Sequence, residues 1–466
     1  MKPSILSLLA LLGPACATTS LSGDLSSIER SVAARGALPQ LVLPRFDLPE
    51  AVPEEVDALL GKPLEADDAV RVALLNNREA RAALAEVGIA RGALVQAGLV
   101  PNPEVEFEAR APGGEQPPQL DVGLELNLSA TFLAPVRAGV AEATLDAERL
   151  RAAGLLLDLA WQTRVAFYEV QALQQKLELR LRAFASQQAA YETAVELSRV
   201  GNLPALTLAN ELAAVELARV QVAEAENALL DAREALTRKL GLSGARTGWT
   251  LAGPLPLPKA APLPQGTEAR AIAASLELAE LSSRAEAASR KAGLAKTEAW
   301  LPHLSAGFHG ERDAALWELG AHVTVGLPVF DRAQGRQLSA RSEYDGLRAR
   351  AEGQALQIRS AVRTTLNRVE SAGRRARHYA ERLVPARQEA LAQTLLQYNA
   401  MQLGVFQLLA AQRAVTDTAL AQVDATLDAW KAQASLELLL AGRSTPLQLG
   451  AVPGSVSMAV ESTGGH

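Results

Sequence analysis

The chain of 466 residues contains an internal duplication that runs over most of its length. The stretch 92–101 matches the stretch 293–302, and the turn at Leu203 matches the turn at Leu403. Both matches keep a spacing of about 200 residues, which is the signature of a repeat architecture. We therefore predict two structural repeats, repeat 1 at residues 65–242 and repeat 2 at residues 266–442.

Each repeat is predicted to contain a helix, a β-hairpin, a long helix and a further helix. Alternation of polar and apolar residues marks the strands, which have about ten residues, the length that crosses a bilayer when tilted. The predicted strands cover 103–111 and 119–129 in repeat 1, and 303–311 and 317–327 in repeat 2. A Pro-rich segment at 243–265 joins the repeats, because its prolines cannot continue a helix.

The helix lengths predict a wall of parallel columns. A long helix at 136–198 would extend about 95 Å at 1.5 Å per residue. The helices predicted at 66–98 and 205–240 have together nearly the same length, so two short helices stacked end to end would match one long helix. The long helix of repeat 2, at 333–400, contains Pro385, which predicts a kink. A bundle of ordinary helical hairpins is the alternative.

The four predicted strands are too few to close a barrel, for which about eight strands are the working minimum. Three chains would supply twelve strands. One strand face is apolar, from Val105 and Phe107 to Val323 and Val325, as expected of an exterior facing lipid. The other face is polar, as expected of a wet lumen. The candidate lumen residues are Glu104, Glu106, Glu108, Asp121, Glu125, His303, His309 and His322. A soluble domain with one solvated sheet face is the alternative.

The N-terminus has the order of a secretory signal, with Lys2, an apolar run and small residues before Cys16. We predict a signal peptide at 1–15, lipidation of Cys16 and an irregular arm at 16–64. A plain cleaved signal with an incidental cysteine is the alternative. Cys16 is the single cysteine of the sequence, which excludes a disulfide within the chain. A tail at 443–466 follows repeat 2.

Composition excludes several functional classes. The net charge of −6 argues against a nucleic-acid scaffold, which would need a basic face. The sequence contains neither a nucleophile elbow nor a Gly-rich phosphate loop, so we predict no enzyme and no cofactor. His303, His309 and His322 have no recognised metal-ligand spacing, so no metal site is predicted.

The sequence resembles the TolC-type outer-membrane factor family from Leu64 to Gly442. The resemblance is carried by the stretches 64–77 and 326–332, by Pro302 and by Pro385. Pro101, Asn102 and Pro103, together with the short arm, are most similar to the heavy-metal efflux (CzcC-like) branch. The resemblance implies a mainly α fold with a membrane β-barrel: a homotrimer in which a twelve-stranded barrel stands on a helical tunnel in the periplasm. It also implies two partners, a periplasmic adaptor (membrane fusion protein) and an inner-membrane transporter.

The two helix–turn–helix tips, near 199–204 and 399–404, resemble the family's adaptor-contact and gating turns. Met401 stands where the first tip has Gly201, and neither tip carries an acidic residue, so no acidic gate is inferred. A purely structural role, with Gly201 ending a helix, is the alternative. The candidate tip residues are Arg199, Val200, Gly201, Asn202, Leu203, Asn399, Met401, Gln402 and Leu403.

The predicted function is a passive exit channel in the outer membrane of a bacterium, serving a tripartite efflux pump for metal cations or small toxic compounds. Rings of lumen carboxylates would favour cations over anions. The same fold serving type I protein secretion is one alternative, and a periplasmic coiled-coil adaptor or scaffold is another.

Overall fold

The computed structural model describes residues 20–35, 43, 51–110, 119–259, 265–313 and 316–444. The predicted signal peptide, Cys16 and most of the C-terminal tail lie outside these residues. The helices are α1 (Ser22–Ala33), α2 (Ala51–Leu60), α3 (Ala66–Asn76), α4 (Arg78–Gly98), α5 (Leu128–Arg199), α6 (Ala205–Leu240), α7 (Thr267–Ala274), α8 (Leu276–Trp300), α9 (Gln334–His378), α10 (Val384–Asn399) and α11 (Val405–Leu440). The strands are β1 (Glu104–Arg110), β2 (Gln119–Asn127), β3 (Leu304–Asp313) and β4 (Leu316–Val325).

The helices form four neighbouring columns. The long helix α5 packs against α4 and α6, and also against α8 and α11. In turn α9 packs against α8 and α11, while α10 packs against α11. The column order is therefore α4 with α6, then α5, then α8 with α11, then α9 with α10. Two long helical columns alternate with two stacked pairs of short helices, and the first and last columns are the edges of the described wall.

The joint between α4 and α6 shows how two short helices are stacked. The sequence predicted one helix at 66–98, but the structure divides it into α3 and α4 at Asn77. The side-chain oxygen of Asn77 accepts hydrogen bonds from the backbone N–H groups of Glu79 and Ala80, which caps α4. Its amide nitrogen donates to the carbonyl of Lys239, 2.8 Å away, in the last turn of α6. One side chain thus begins one helix and satisfies the end of the other.

In repeat 2, different residues form the corresponding joint between stacked helices. The first helix of repeat 2 is divided into α7 and α8 at Ser275, whose hydroxyl oxygen accepts a hydrogen bond from the N–H of Leu278. The N–H of Leu276 donates to the carbonyl of Gly442, 2.8 Å away, just beyond α11. The side-chain periodicity continues through both breaks, and for this reason the sequence predicted uninterrupted helices.

Two prolines are accommodated within the long helices. Pro135 lies inside α5, which begins at Leu128, eight residues before the predicted start at 136. Asn127 caps this early start by accepting a hydrogen bond from the N–H of Ala130. Before Pro385 the helix widens into a π-helical turn over Tyr379–Leu383. Such a turn adds one residue and relieves the clash that proline makes with the preceding carbonyls.

The four strands form one antiparallel sheet in the order β1-β2-β3-β4. Hydrogen-bonded pairing between β2 and β3 joins the hairpins of the two repeats. In the described residues, β1 and β4 are the outer strands of this sheet. The sheet edges continue the wall edges, because α4 leads into β1 and β4 leads towards α9.

The largest core cluster joins the N-terminal helix α1 to the wall. Ile28 of α1, Leu84 of α4 and Phe167 of α5 are all buried in it. Elsewhere alanine supplies much of the buried surface between columns, because small side chains let helix backbones approach closely. Over the described ranges, no helix is both long and apolar enough to span a membrane.

Candidate functional site

One face of the sheet exposes large apolar side chains to the surroundings. Phe107 is 67% exposed, Phe308 is 69% exposed and Leu319 is 86% exposed. Register places apolar residues opposite one another, as in the pairs of Val105 with Leu124 and of Phe308 with Ala321. A contiguous apolar face of this kind marks a surface that contacts lipid or protein.

The opposite face carries a row of carboxylates that crosses all four strands. Glu108 pairs with Asp121, Asp121 pairs with Glu311, and Glu311 pairs with Glu318. Arg110 donates a hydrogen bond to Glu108 over 2.9 Å and is a nearby positive charge. Like charges directly opposite one another destabilise a sheet, so this row is unfavourable for folding alone. We call these four residues the carboxylate row.

The remaining predicted acidic residues lie on the same face, further towards the helices. Glu104 pairs with Glu125, and Glu106 pairs with Gly123. The structure therefore brings the five predicted acids of the hairpin in repeat 1 together. The alternation of β4 places Glu318 on this face, as the sequence predicted, whereas Glu311 of β3 follows the same alternation but was not among the residues predicted to line the lumen.

The predicted histidines also lie on this polar face. His309 and His322 have ring centroids 5.8 Å apart. Each ring covers a glycine on the neighbouring strand: a Cβ at Gly307 would lie 2.5 Å from His322, and one at Gly320 would lie 2.6 Å from His309. His303 precedes β3 and contacts the hydroxyl of Ser305 over 3.4 Å. Among the described residues, no group of three or more His, Cys, Asp or Glu side chains is arranged to hold a metal ion.

The first helix–turn–helix tip is closed by two backbone hydrogen bonds. The N–H of Gly201 donates to the carbonyl of Ser198, and that of Asn202 donates to the carbonyl of Leu197. This is the Schellman arrangement, which needs a left-handed residue, and Gly201 has a φ of 76°. Val200 is 60% exposed at the turn. Close by, Arg199 forms a salt bridge of 2.9 Å with Glu196, one turn earlier.

The second tip has the same backbone geometry without the glycine. The N–H of Met401 donates to the carbonyl of Tyr398, and that of Gln402 donates to the carbonyl of Gln397. Met401 adopts a φ of 59°, and its side chain is 95% exposed. Asn399 ends α10, and Leu403 is half-buried beyond the turn. The tip thus presents a flexible apolar side chain on a strained backbone.

The N-terminal helix α1 is fastened to the wall by a buried carboxylate. Asp24 is fully buried and accepts hydrogen bonds of 2.6 and 2.8 Å from Arg91 of α4, as well as bonds from Arg149 of α5. Burial acts to raise the pKa of Asp24, but the hydrogen bonds from the two guanidinium groups outweigh it and the pKa is lowered. Leu21, just before α1, lies against Gly88 of α4.

Comparison with solved structures identifies this architecture. A membrane protein from Pseudomonas aeruginosa superposes with a TM-score of 0.69 at 19% identity, covering 83% of this chain and 93% of that one. The fold is shared with solved outer-membrane channels. The open state of the MtrE outer-membrane channel of Neisseria gonorrhoeae superposes with a TM-score of 0.67 at 18% identity, covering 82% of this chain and 90% of that one. Structures of CusC, which concern its folding and transmembrane channel formation, superpose with a TM-score of 0.66 at 16% identity. The match covers 84% of this chain and 92% of that one.

The likeness to these channels is a likeness of fold. No protein-family model matches the sequence, and no curated protein matches it either. The similarity nevertheless covers the helical wall and the sheet together, because more than four fifths of this chain superposes on each of the three channel structures.

Proposed function

We propose that the chain is the outer-membrane exit channel of a tripartite efflux pump, a passive trimeric duct with no enzymatic activity. The observation that carries this proposal is the four-stranded sheet, which has one exposed apolar face, one acidic face and an outer strand at each edge. The fold shared with known outer-membrane channels supports it. That likeness supports the TolC-type resemblance at the level of the fold, and the heavy-metal branch is a further part of the proposal.

The two edges of the chain support a homotrimer. β1 and the α4/α6 column form one edge, and β4 and the α9/α10 column form the other. Because these edges differ, head-to-tail contacts between copies generate a ring when the rotation closes. Three copies would give twelve strands, enough for a barrel with an open interior. The exposed apolar face would then meet outer-membrane lipid.

The carboxylate row would line the lumen of this barrel. In a trimer its four carboxylates would become a ring of twelve, and Glu104, Glu106 and Glu125 would add further negative charge. Rings of carboxylates attract cations and repel anions. Metal cations, or small toxic compounds with a positive charge, are therefore the proposed cargo. The same face carries His303, His309 and His322. Because they do not form a metal-binding site among the described residues, they would not hold back a cation that passes through the lumen.

The helix tips lie at the far end of the wall from the sheet. We assign them contact with a periplasmic adaptor and the gating of the tunnel. The exposed Val200 and Met401 offer apolar contacts, and Arg199, Gly201, Asn202 and Leu203 complete the first turn as Asn399, Gln402 and Leu403 complete the second. An inner-membrane transporter joined through the adaptor would supply the energy, because a passive duct has none of its own.

Lipidation of Cys16 agrees with the position of the N-terminal helix. Leu21 lies against Gly88, ten residues before α4 ends, which is about 15 Å along the helix. The five residues from Cys16 to Leu21 can span at most about 18 Å. A lipid on Cys16 could therefore reach the level at which α4 gives way to β1, where the barrel would enter the membrane.

Membrane fractionation tests the proposal directly. The chain is expected in the outer membrane and is expected to need detergent for extraction as a trimer. Recovery from the soluble periplasm without detergent would overturn the channel and would favour the adaptor or scaffold alternative. Mass spectrometry of the N-terminal peptide tests lipidation of Cys16 independently.

Deletion of the gene tests the cargo. Increased sensitivity to zinc, cobalt or cadmium is expected for the heavy-metal branch, and sensitivity to drugs alone would replace metals with small toxic compounds. Loss of an exported protein, with tolerance to metals and drugs unchanged, would favour type I secretion.

A further inference from the structure

The outer face of α6 carries carboxylates that have no ion-pair partner among the residues that the structure describes. Leu206, Leu217, Glu224 and Asp231 follow at steps of 11, 7 and 7 residues, which keeps them on one face of the helix. All four are exposed, whereas Val215, Ala218 and Leu236 are buried on the side of α6 that packs against α5. Glu224 and Asp231 make no ion pair within the described part of the chain. We call this face the acidic edge.

The opposite edge of the wall, on α9, is basic. Arg341, Arg359 and Arg377 are separated by steps of 18 residues, or five helical turns, so they form one line along the helix. None of the three has an ion-pair partner among the residues that the structure describes. We call the line of these three arginines the basic edge.

The two edges carry their charges at the same height above the tips. Glu224 and Asp231 lie about 30 and 40 Å from the start of α6, and Arg377 lies about 35 Å from the end of α10, at 1.5 Å per residue. The salt bridge between Arg375 of α9 and Asp428 of α11 shows that this count measures height, since the two are almost equally distant from their shared tip. Rotation about a tunnel axis leaves height unchanged, so the charges of neighbouring copies would meet.

We propose that α9 of one copy packs along α4 and α6 of the next, with Arg377 placed between Glu224 and Asp231 of that neighbour. This inference rests on the proposed trimer and specifies the residues of its helical seam. The acidic edge and the basic edge then form ion pairs between copies. Because the charges attract across the seam, high salt weakens it: the screening length falls to about 3 Å at 1 M ionic strength.

Disulfide cross-linking of the full chain in detergent tests the seam. The double variant Glu224→Cys with Arg377→Cys is expected to yield linked dimers and trimers under mild oxidation. The pair Glu224→Cys with Arg341→Cys should not link, because Arg341 lies about 54 Å above Arg377. Each single variant reports any link made through Cys16.

Charge reversal tests the proposed seam independently of the proposed trimer. Asp231→Lys is expected to lower the thermal stability of the trimer, and combination with Arg377→Glu should recover part of the loss. Glu192→Lys on α5, which is exposed but lies in an inner column, is the control and should have little effect. A stable trimer that neither forms the Glu224–Arg377 link nor responds to charge reversal would overturn the seam and leave the channel intact. A wild-type chain that is monomeric would overturn the proposed channel.

Discussion

Met401 shows that a turn can be retained with an unfavourable residue. Its left-handed backbone costs about 1 kcal/mol relative to glycine, and its exposed side chain makes no compensating core contact. We predict that Met401→Gly stabilises the second tip by about 1 kcal/mol, and that Gly201→Ala destabilises the first by a similar amount. Hydrogen exchange of the tip amides measures both changes. Slower exchange in Gly201→Ala, or faster exchange in Met401→Gly, would contradict the strain argument.

Asp24 makes the attachment of α1 dependent on pH. Its pKa in the folded chain lies below the unfolded value, because the hydrogen bonds from Arg91 and Arg149 outweigh burial. The stabilisation is therefore fully present above about pH 4 and is lost as the pH falls through the folded pKa. We predict that α1 stays protected from hydrogen exchange between about pH 5 and 8, because this range lies above both the folded and the unfolded pKa of Asp24. In stronger acid α1 is expected to lose this protection.

Substitution of Asp24 gives the same test at neutral pH. Asp24→Ala leaves two guanidinium groups without their shared partner, which is expected to cost about 3 kcal/mol or more. Asp146→Asn is the matched control, because Asp146 binds Arg149 from an exposed position. Equal loss of α1 protection in both variants would show that Asp24 is not the fastening residue.

At the scale of the elements, the two helix joints depend on glycines that no other residue can replace. A Cβ at Gly442 would lie 1.9 Å from the carbonyl oxygen of Ala274, and one at Gly241 would lie 2.7 Å from that of Asn76. We predict that Gly442→Ala is the more destabilising, by about 3 kcal/mol or more, since backbone strain adds to the left-handed penalty. Thermal unfolding measures the difference. Gly253→Ala, also left-handed but with open space around it, should cost only about 1 kcal/mol.

The sequence predicted the order of the elements but not the points at which helices are interrupted. Strand alternation and helical periodicity depend on local residue pattern, so strands such as β1 and β4 lie within a few residues of their predicted bounds. The breaks at Asn77 and Ser275 depend on hydrogen bonds to residues over 150 positions away. No local pattern records such bonds. Glu311 was missed for a simpler reason: the prediction did not extend the alternation beyond His309.

At the scale of the whole molecule, opposite charges are concentrated in separate places. The sheet concentrates carboxylates on its polar face, whereas α9 concentrates guanidinium groups near its far end, from Arg368 to Arg377. Opposite charges so far apart cannot stabilise one another within the chain, because screening removes interactions beyond about 10 Å at ordinary ionic strength. Each cluster therefore needs its own explanation, ions in the lumen for the first and a neighbouring copy for the second.

The carboxylate row predicts the ion selectivity of the assembled channel. Like charges placed opposite one another weaken a sheet, so neutralising part of the row should leave the sheet intact or make it more stable. We predict that Glu311→Gln with Glu318→Gln lowers the cation-over-anion permeability ratio several-fold, because half the carboxylates of the ring are lost. Reversal potentials across planar bilayers under a salt gradient measure the ratio. Glu389→Gln on α10, outside the sheet, is the control for net charge. An unchanged ratio in the double variant would mean that the acidic face does not control permeation, whereas retained conductance in every variant would show that the duct itself is preserved.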